Sequence, residues 1–409
     1  MQHRQKGTKM MGTRRSLRIK TLLAILSLPI LAAAGTEAGT IETVVGSNDI
    51  AIDRINIQQA IDRAGEGGRV LLAGEFQLDG EALSISKRLT LAGVVVDNDG
   101  DGAENEDWID GIDNDGDGLT DEDDWEARLI GLTDASGAPI PETDRTVVFN
   151  RAIFIRGLDG EVNGLRILDL RFSGHFRAIT LEPDTGSFGG TVCENLFSTT
   201  GILANLAIEG NRFDNNGRAI ELEGHTRRAR IARNVIADAS NISMIVEGVE
   251  MGCPLMAGGF DTFPIGTPEQ TVVVDNIVLN SALYAIFNFN ALETRILGNR
   301  ILGGDFAILS QGESRVWISD NDLLDVGFIG MELAGAVETG TVTDNRISGG
   351  FFGVLVDPGG SGYQIKDSEF SQVLFADVLL DFGSFGNTVI VEQGDVVIDD
   401  GEDNIVKFE

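Results

Sequence analysis

Asn276-Ile277-Val278-Leu279, Asn299-Arg300-Ile301-Leu302, Asn321-Asp322-Leu323-Leu324 and Asn345-Arg346-Ile347-Ser348 are four versions of one phrase. Asn211 and Asn234 begin the same series, and its successive intervals are 23, 42, 23, 22 and 24 residues. An apolar residue follows each Asn by one or two places: Phe213, Val235, Ile277, Ile301, Leu323 and Ile347. A fixed period of this size marks a solenoid, in which each repeat stacks on the one before.

A second series runs beside the first. Ala178, Ala219, Ser243, Ala285, Ala307, Gly330 and Gly353 each precede a short strand-like triplet, at intervals of 41, 24, 42, 22, 23 and 23 residues. The long intervals place inserts at 182–205 and 247–270 on an otherwise regular period. Runs of Ile, Val, Leu and Phe alternate with Gly, Asn and Asp, which is strand and turn chemistry. A coil of this length suits three short strands and three turns. Parallel stacking of such coils gives a β-helix rising about 4.8 Å per turn. Asn tolerates left-handed backbone and hydrogen-bonds locally, so the series is expected at a recurring corner, its amides bonded along the axis. That makes these asparagines scaffold.

The segment Ile55-Asn56-Ile57-Gln58-Gln59-Ala60-Ile61-Asp62-Arg63-Ala64 resembles the amphipathic capping helix of right-handed parallel β-helix, pectin-lyase-like proteins. Gly67-Gly68-Arg69-Val70-Leu71-Leu72-Ala73-Gly74-Glu75-Phe76 and Leu89-Thr90-Leu91-Ala92-Gly93-Val94 continue that pattern. The resemblance implies an all-β fold: a single-stranded right-handed parallel β-helix solenoid with an N-terminal capping helix and an acidic insert. The cap and first coils span 48–96, the insert 97–126, and the remaining coils 127–409. Function does not follow, because this fold hosts lyases, hydrolases, epimerases and adhesins.

The formal charge is −33. Residues 1–34 hold seven of the basic residues and no acidic one, followed by the apolar run Thr21 to Ala34 with Ala32-Ala33-Ala34 at its end. Basic region, short apolar core and small-residue site read as a signal peptide, so the protein is expected to be secreted, periplasmic or on the cell surface. Thr13-Arg14-Arg15-Ser16-Leu17 leaves twin-arginine export open beside the ordinary route. No other run is long and apolar enough to span a bilayer. A mature chain of about −40 repels nucleic acid and anionic membranes, and repels polyuronates unless metal ions bridge the charges.

Cys193 and Cys253 lie one in each long insert. The inserts leave the same corner two coils apart, so their bases are about 10 Å from each other. A disulfide is the expectation for an exported chain, with two free thiols as the alternative.

Asp97 to Glu126 contains fifteen acidic residues and no Lys or Arg. One hexapeptide occurs twice, sixteen residues apart: Asp97-Asn98-Asp99-Gly100-Asp101-Gly102 and Asp113-Asn114-Asp115-Gly116-Asp117-Gly118. Alternate Asp residues put three carboxylates on one side of a tight loop, which suits a hard cation seeking oxygen ligands. Against the EF-hand pattern, the second copy adds Asp121 and Asp124 at the later ligand positions, while the first has Trp108 where the last ligand belongs. The segment resembles thrombospondin type 3 calcium repeats. Calcium is therefore the expected cofactor, held by Asp97, Asp99, Asp101, Asp113, Asp115, Asp117, Asp121 and Asp124.

Polysaccharide-acting members of the β-helix family work on one sheet face. Lyases use an Arg or Lys base, often with calcium; hydrolases use clustered Asp and a His. Ser173-Gly174-His175 is similar to the Ser-Gly-His of polygalacturonases, but the paired aspartates before it and the Arg-x-Lys after it are absent. Arg171 with Arg212 and Arg177 with Arg218 occupy equivalent positions in adjacent coils. They are the candidate catalytic residues, to be weighed against simple pairing with Glu182, Glu209, Glu221 and Glu223. The outward residues of the triplets are Thr180, Glu221, Ile245, Phe287, Leu309, Glu332 and Leu355. That mostly apolar stripe is expected under a loop or against another chain.

The sequence thus reads as an exported, calcium-binding, acidic β-helix with a non-catalytic role, binding polysaccharide or a cell-envelope component. The alternative is a calcium-assisted lyase acting on a uronate polymer with an Arg base.

Overall fold

The structure, a computed structural model, describes residues 39–94, 127–141, 150–155, 161–181, 202–224, 226–247, 249–254, 260–312 and 315–409. Of 249–254 and 260–266 only the backbone is described. The expected signal peptide, the acidic insert and Cys193 lie outside these residues, as does the side chain of Cys253.

The chain winds as a right-handed parallel β-helix. Each regular coil contributes one strand to each of three ladders, called A, B and C in chain order. In one coil these are Val272–Val274, Ile277–Leu279 and Tyr284–Phe289. In the next they are Thr294–Leu297, Arg300–Leu302 and Phe306–Gln311. Ladders A and B join as one 22-stranded sheet through Gly68–Gln77, which runs from one into the other, and C is a separate sheet of 11 strands. Pairing is parallel and in register, as Val273↔Ile296, Ile296↔Ile318 and Ile318↔Val342 show for A. Those four side chains are fully buried, as are Ile301 and Leu323 on B. β-branched residues fill such rows well because they fit a pleated surface. Inward alternation from three sides builds one continuous core along the axis.

Helix α1, Asp53–Ala64, covers the first coil. Ile57, Ala60, Ile61 and Ala64 are its buried apolar stripe, at helical spacing. It packs on Gly68–Gln77 and on Ile41–Val45, so the cap starts before residue 48. The Asp53 carboxylate ties the helix start down, accepting from Ser47 N, Asp49 N and Gln77 N at 2.9, 3.1 and 2.9 Å. Gln58 accepts from Ser84 N at 2.8 Å and donates to Ser84 O at 3.2 Å, binding the helix to the first C strand. A solenoid needs such an end cap to keep its first coil from water.

The asparagine series sits at the A-to-B corner. All six members are nearly fully buried. From Asn211 to Asn321, each backbone N–H and each side-chain amide donates to Oδ1 of the next member, as Asn299 does to Asn321 at 2.9 and 3.0 Å. The amide also reaches back to a carbonyl of the preceding coil, as Asn299 does to Val273 O at 3.0 Å. Leu170 N starts the series by donating to Asn211, and Ser368 ends it by accepting from Asn345 N.

One detail corrects the expectation. The asparagines are not the left-handed residues; those immediately before them are: Arg233, Asp275, Asp320 and Asp344, with φ of 52, 54, 57 and 56°. Gly210 and Gly298 fill the same place. The kink takes the following N–H out of line with the next coil's carbonyl, and the next Asn side chain accepts it instead. A second left-handed position recurs four residues after each Asn, at Asn215, Asp238, Asn280 and Asp325 among others. Each B strand is confined between these two kinks.

Both long inserts leave the same end of the C sheet. They follow Arg177–Leu181 and Met244–Glu247, which flank Arg218–Glu223 on either side. Their limits differ from those expected. Ile202–Ala204 is already a strand, paired with Glu161–Asn163 and Thr226–Arg227 in a small parallel sheet. Glu247 still belongs to its C strand, Val249–Pro254 and Phe260–Gly266 form an antiparallel hairpin, and Glu269 bridges to Arg227 and Leu292. These extra pairings continue the solenoid where composition alone suggested loop.

Candidate functional site

The register brings the candidate arginines together as expected. Arg171 lies beside Arg212 and Arg177 beside Arg218, and each row extends one coil further, to Arg128 and Arg151. Carboxylates engage all four. Asp214 pairs with Arg171 and Arg212 at 2.7 and 2.8 Å. Glu221, wholly buried although it points away from the core, pairs with Arg177 at 3.2 Å and with Arg218. Glu209 takes Arg230 and Arg233, and Glu269 takes Arg227. Of the expected partners Glu221 engages Arg177 and Arg218, Glu209 serves Arg230 and Arg233 instead, Glu182 lies outside the described residues, and Asp214 is new. Burial and then the Glu221 carboxylate push the Glu247 carboxyl up.

Ser173-Gly174-His175 forms no outward site. His175 is fully buried, with Nε2 3.1 Å from Leu129 O, so the neutral ring carries its proton on Nε2. Burial depresses its pKa to about 4.

The outward row of the C sheet is continuous: Thr180, Glu221, Ile245, Phe287, Leu309, Glu332, Leu355 and Leu379 are successive register partners. Ile245 and Leu309 keep only 3 and 7% of their surface exposed, although they lie outside the core cluster. That part of the stripe is therefore covered. Further along the axis the face opens and its chemistry changes.

There Tyr284, at the entry edge of its strand, reaches across to the coil two further on and donates to Glu332 Oε2 at 2.6 Å. The Asp357 carboxyl, just beyond the next C strand, stands beside that of Glu332. Asp381 takes the equivalent place one coil later, since Val356 pairs with Leu380. Burial, then the Glu332 carboxylate and its hydrogen bond, then Asp381, push Asp357 up to about 7. A half-buried carboxyl between two others keeps its proton because ionisation would add a third like charge to a poorly hydrated site. The Tyr284 hydroxyl is pushed up as well, by burial and by its bond to Glu332.

An aromatic ladder flanks this cluster along the entry edge of the C sheet. Tyr284 packs on Phe306 at 4.8 Å between ring centroids, and Phe306 on Phe328 at 5.6 Å. Phe328 stacks on Phe351 at 6.1 Å and Phe351 on Phe375 at 5.0 Å. Phe328, Phe351 and Phe375 remain 44, 38 and 49% exposed. The face thus has an apolar edge, the half-buried leucines Leu355 and Leu379 in its middle, and carboxylates at its exit edge. Tyr284 belongs to both the ladder and the polar cluster.

Sequence reasoning singled out Glu332 but missed Tyr284, Asp357, Asp381 and the ladder. A signal existed: Asp357 and Asp381 stand one period apart, each one residue beyond a C strand. Among the described residues no group of three or more His, Cys, Asp or Glu side chains is arranged to hold a metal ion. The expected calcium ligands from Asp97 to Asp124 lie outside the described set. No helix of the described residues is long and apolar enough to cross a membrane.

No protein-family model matches this chain, and no curated protein matches it. Among solved structures it is similar to the DFA-IIIase from Arthrobacter chlorophenolicus A6 in complex with GF2, with TM-score 0.49, 15% identity and coverage of 89% of this chain and 97% of that one. It is also similar to the alginate lyase from Paenibacillus sp. str. FPU-7, with TM-score 0.45, 11% identity and coverage of 83% and 99%. A third similarity is to the enzymatically active domain of bacteriophage CBA120 tailspike protein 2, with TM-score 0.42, 11% identity and coverage of 86% and 47%. The parallel, in-register strand pairing itself defines the fold.

Proposed function

We propose that this protein is an exported, calcium-binding β-helix that binds polysaccharide on the open outer face of its C sheet. The observation that carries the reading is the Tyr284–Glu332–Asp357 cluster beside an exposed aromatic edge. Sugars offer apolar C–H faces to aromatic and aliphatic surface and hydroxyl donors to carboxylates, and this face supplies both in one strip. Rigid strands hold the groups in place, which keeps the ordering cost of binding low. Export rests on the signal-like N-terminal residues. Calcium rests on the doubled Asp-x-Asp-x-Asp-Gly segment, with a stabilising role for the metal.

A second reading has a specific observation behind it. A carboxyl held protonated near neutral pH beside another carboxyl is the setting in which general acids operate. The same face would then cleave its glycan by acid–base chemistry. No observation favours an Arg-based lyase, since the candidate arginines are engaged by Asp214 and Glu221.

Calorimetric titration of the protein with defined oligosaccharides, repeated with Glu332→Gln, tests the binding role. Saturable heat that the variant loses supports this face, and identical heats for both proteins reject it. New reducing ends in the same mixtures would reveal hydrolysis. Ultraviolet-absorbing unsaturated uronates would instead restore the lyase alternative.

A further inference from the structure

The local charge on this face selects among glycans. Glu332, Asp357 and Asp381 are gathered within two coils, and Tyr284 already spends its hydroxyl proton on Glu332. The arginines that begin strands of the same sheet, Arg151, Arg177 and Arg218, lie several coils away, the last two beside the buried Glu221. No cation among the described residues is paired with Glu332, Asp357 or Asp381. Lys366, the nearest lysine in sequence to Asp357, is bonded to Asp367 at 3.0 Å. Asp400 continues the acidic row, because Asp399 pairs with Leu380 and Asp400 N donates to Leu380 O.

Resting on the binding reading above, we infer that the face accepts a glycan free of carboxylate and sulfate groups and rejects polyuronates and sulfated polymers. Three arguments converge on it. A carboxylate entering the strip would add a like charge beside Glu332, Asp357 and Asp381, and like charges repel strongly at short range where water is partly excluded. The strip offers acceptors, and the hydroxyls of an uncharged sugar are the donors that match them. The aromatic edge, from Phe306 to Phe375, matches the uncharged C–H surface of such a sugar. Net charge alone would repel any polyanion from a distance, whereas this contact acts at short range and is screened less by salt.

The test uses the full chain in EDTA, so that no metal bridges the charges. Its probes are neutral hexasaccharides of glucose, mannose, xylose and galactose, a glucosamine hexamer, and the hexamers of galacturonate and guluronate, each titrated at 50 and 500 mM salt. The expected result is binding of at least one neutral or amino-sugar hexamer, with both uronates weaker by roughly tenfold or more at either salt concentration. Asp381→Asn and the double variant Asp357→Asn with Asp381→Asn should narrow that gap step by step. Uronate binding as tight as the best neutral ligand overturns the selectivity and leaves the binding face standing. Failure of every hexamer to bind overturns the binding face, and the selectivity with it.

Discussion

Asn234 and Asn276 are 42 residues apart in sequence and one coil apart in space. The backbone and side-chain nitrogens of Asn234 both donate to Oδ1 of Asn276, at 3.0 and 2.9 Å. The insert after Met244–Glu247 separates them along the chain, yet the ladder passes it unbroken. Asn276 in turn donates to Ile231 O, Val274 O and Asn299 Oδ1. Asn276→Ala leaves a buried N–H and a buried carbonyl without partners and should cost about 2–4 kcal/mol, read as a lower midpoint in urea. Asn276→Asp should do equal or greater harm, because a carboxylate cannot donate to Ile231 O. An unchanged midpoint in both would show the ladder to be energetically idle.

Tyr284→Phe removes one hydroxyl and its bond to Glu332 while keeping the ring on Phe306. Loss of a hydrogen bond to a charged group is worth about 1.5–3 kcal/mol. That loss falls on folding stability, and glycan affinity should fall by no more than roughly tenfold as the Glu332 carboxylate loses its anchor, while Phe306→Ala should weaken binding through the aromatic edge alone. The two effects are expected to couple in a double-mutant cycle, since Tyr284 touches both parts of the face.

Asp357 gives the face a pH signature. Its folded-state pKa is raised from 3.8 to about 7, so between these values the folded protein holds a proton that the unfolded chain releases. Stability from this group is complete below about pH 4 and declines as pH rises towards 7. Asp357→Asn should match the wild type at pH 4 and exceed it in melting temperature at pH 8. Carbon-detected NMR of the Asp357 carboxyl should show its titration near neutrality; a midpoint below pH 5 would contradict the raised pKa.

His175 acts with the opposite slope. Burial lowers its pKa from 6.5 to about 4, so the unfolded chain takes up a proton first as the solution is acidified. The folded state should lose on the order of 3 kcal/mol between pH 6.5 and 4. His175→Gln should flatten that part of the stability profile, at the cost of some stability at pH 8. Urea midpoints measured across this range decide the matter.

Calcium and the cysteines are legible only in sequence. Added calcium should protect residues 97–126 from proteolysis and release heat on titration, and chelation should reverse the protection. Alkylation without reductant, followed by mass measurement, should leave Cys193 and Cys253 unmodified. Two added alkyl groups would mean free thiols.

The fold was readable because its signal is periodic and each coil repeats the same physical problem. Every A-to-B corner must accept one displaced N–H, and Asn276, Asn299, Asn321 and Asn345 solve it identically. The left-handed position is hard to read because Asp275, Gly298, Asp320 and Asp344 look like ordinary turn residues beside a more regular Asn. The face was harder to see. Its central bond joins Tyr284 to Glu332 across 48 residues and skips a coil, so no sequence window contains both. Asp357 and Asp381 lie one residue outside the triplet that defined the outward row. The arginines, by contrast, drew notice because they stand in equal positions in adjacent coils, and their pairing with Asp214 and Glu221 answers to structure.

The corner between Leu89–Gly93 and Ala127–Ile130 has a wider meaning. The next coil makes the same turn with Asp169 and Leu170 alone, yet the strands on both sides of the acidic segment keep full register with it: Leu91 opposite Ile167 and Leu129 opposite Phe172. Each strand is held by the coils above and below, so its register does not depend on the length of the link. Such a corner works as a port. Whole modules can be plugged in or deleted there while the scaffold stays indifferent to what it carries. A chain with residues 95–126 replaced by an Asp-Leu pair should fold into the same solenoid, and the excised acidic segment could be transplanted to the corner at Asn299 or Asn321 as portable cargo.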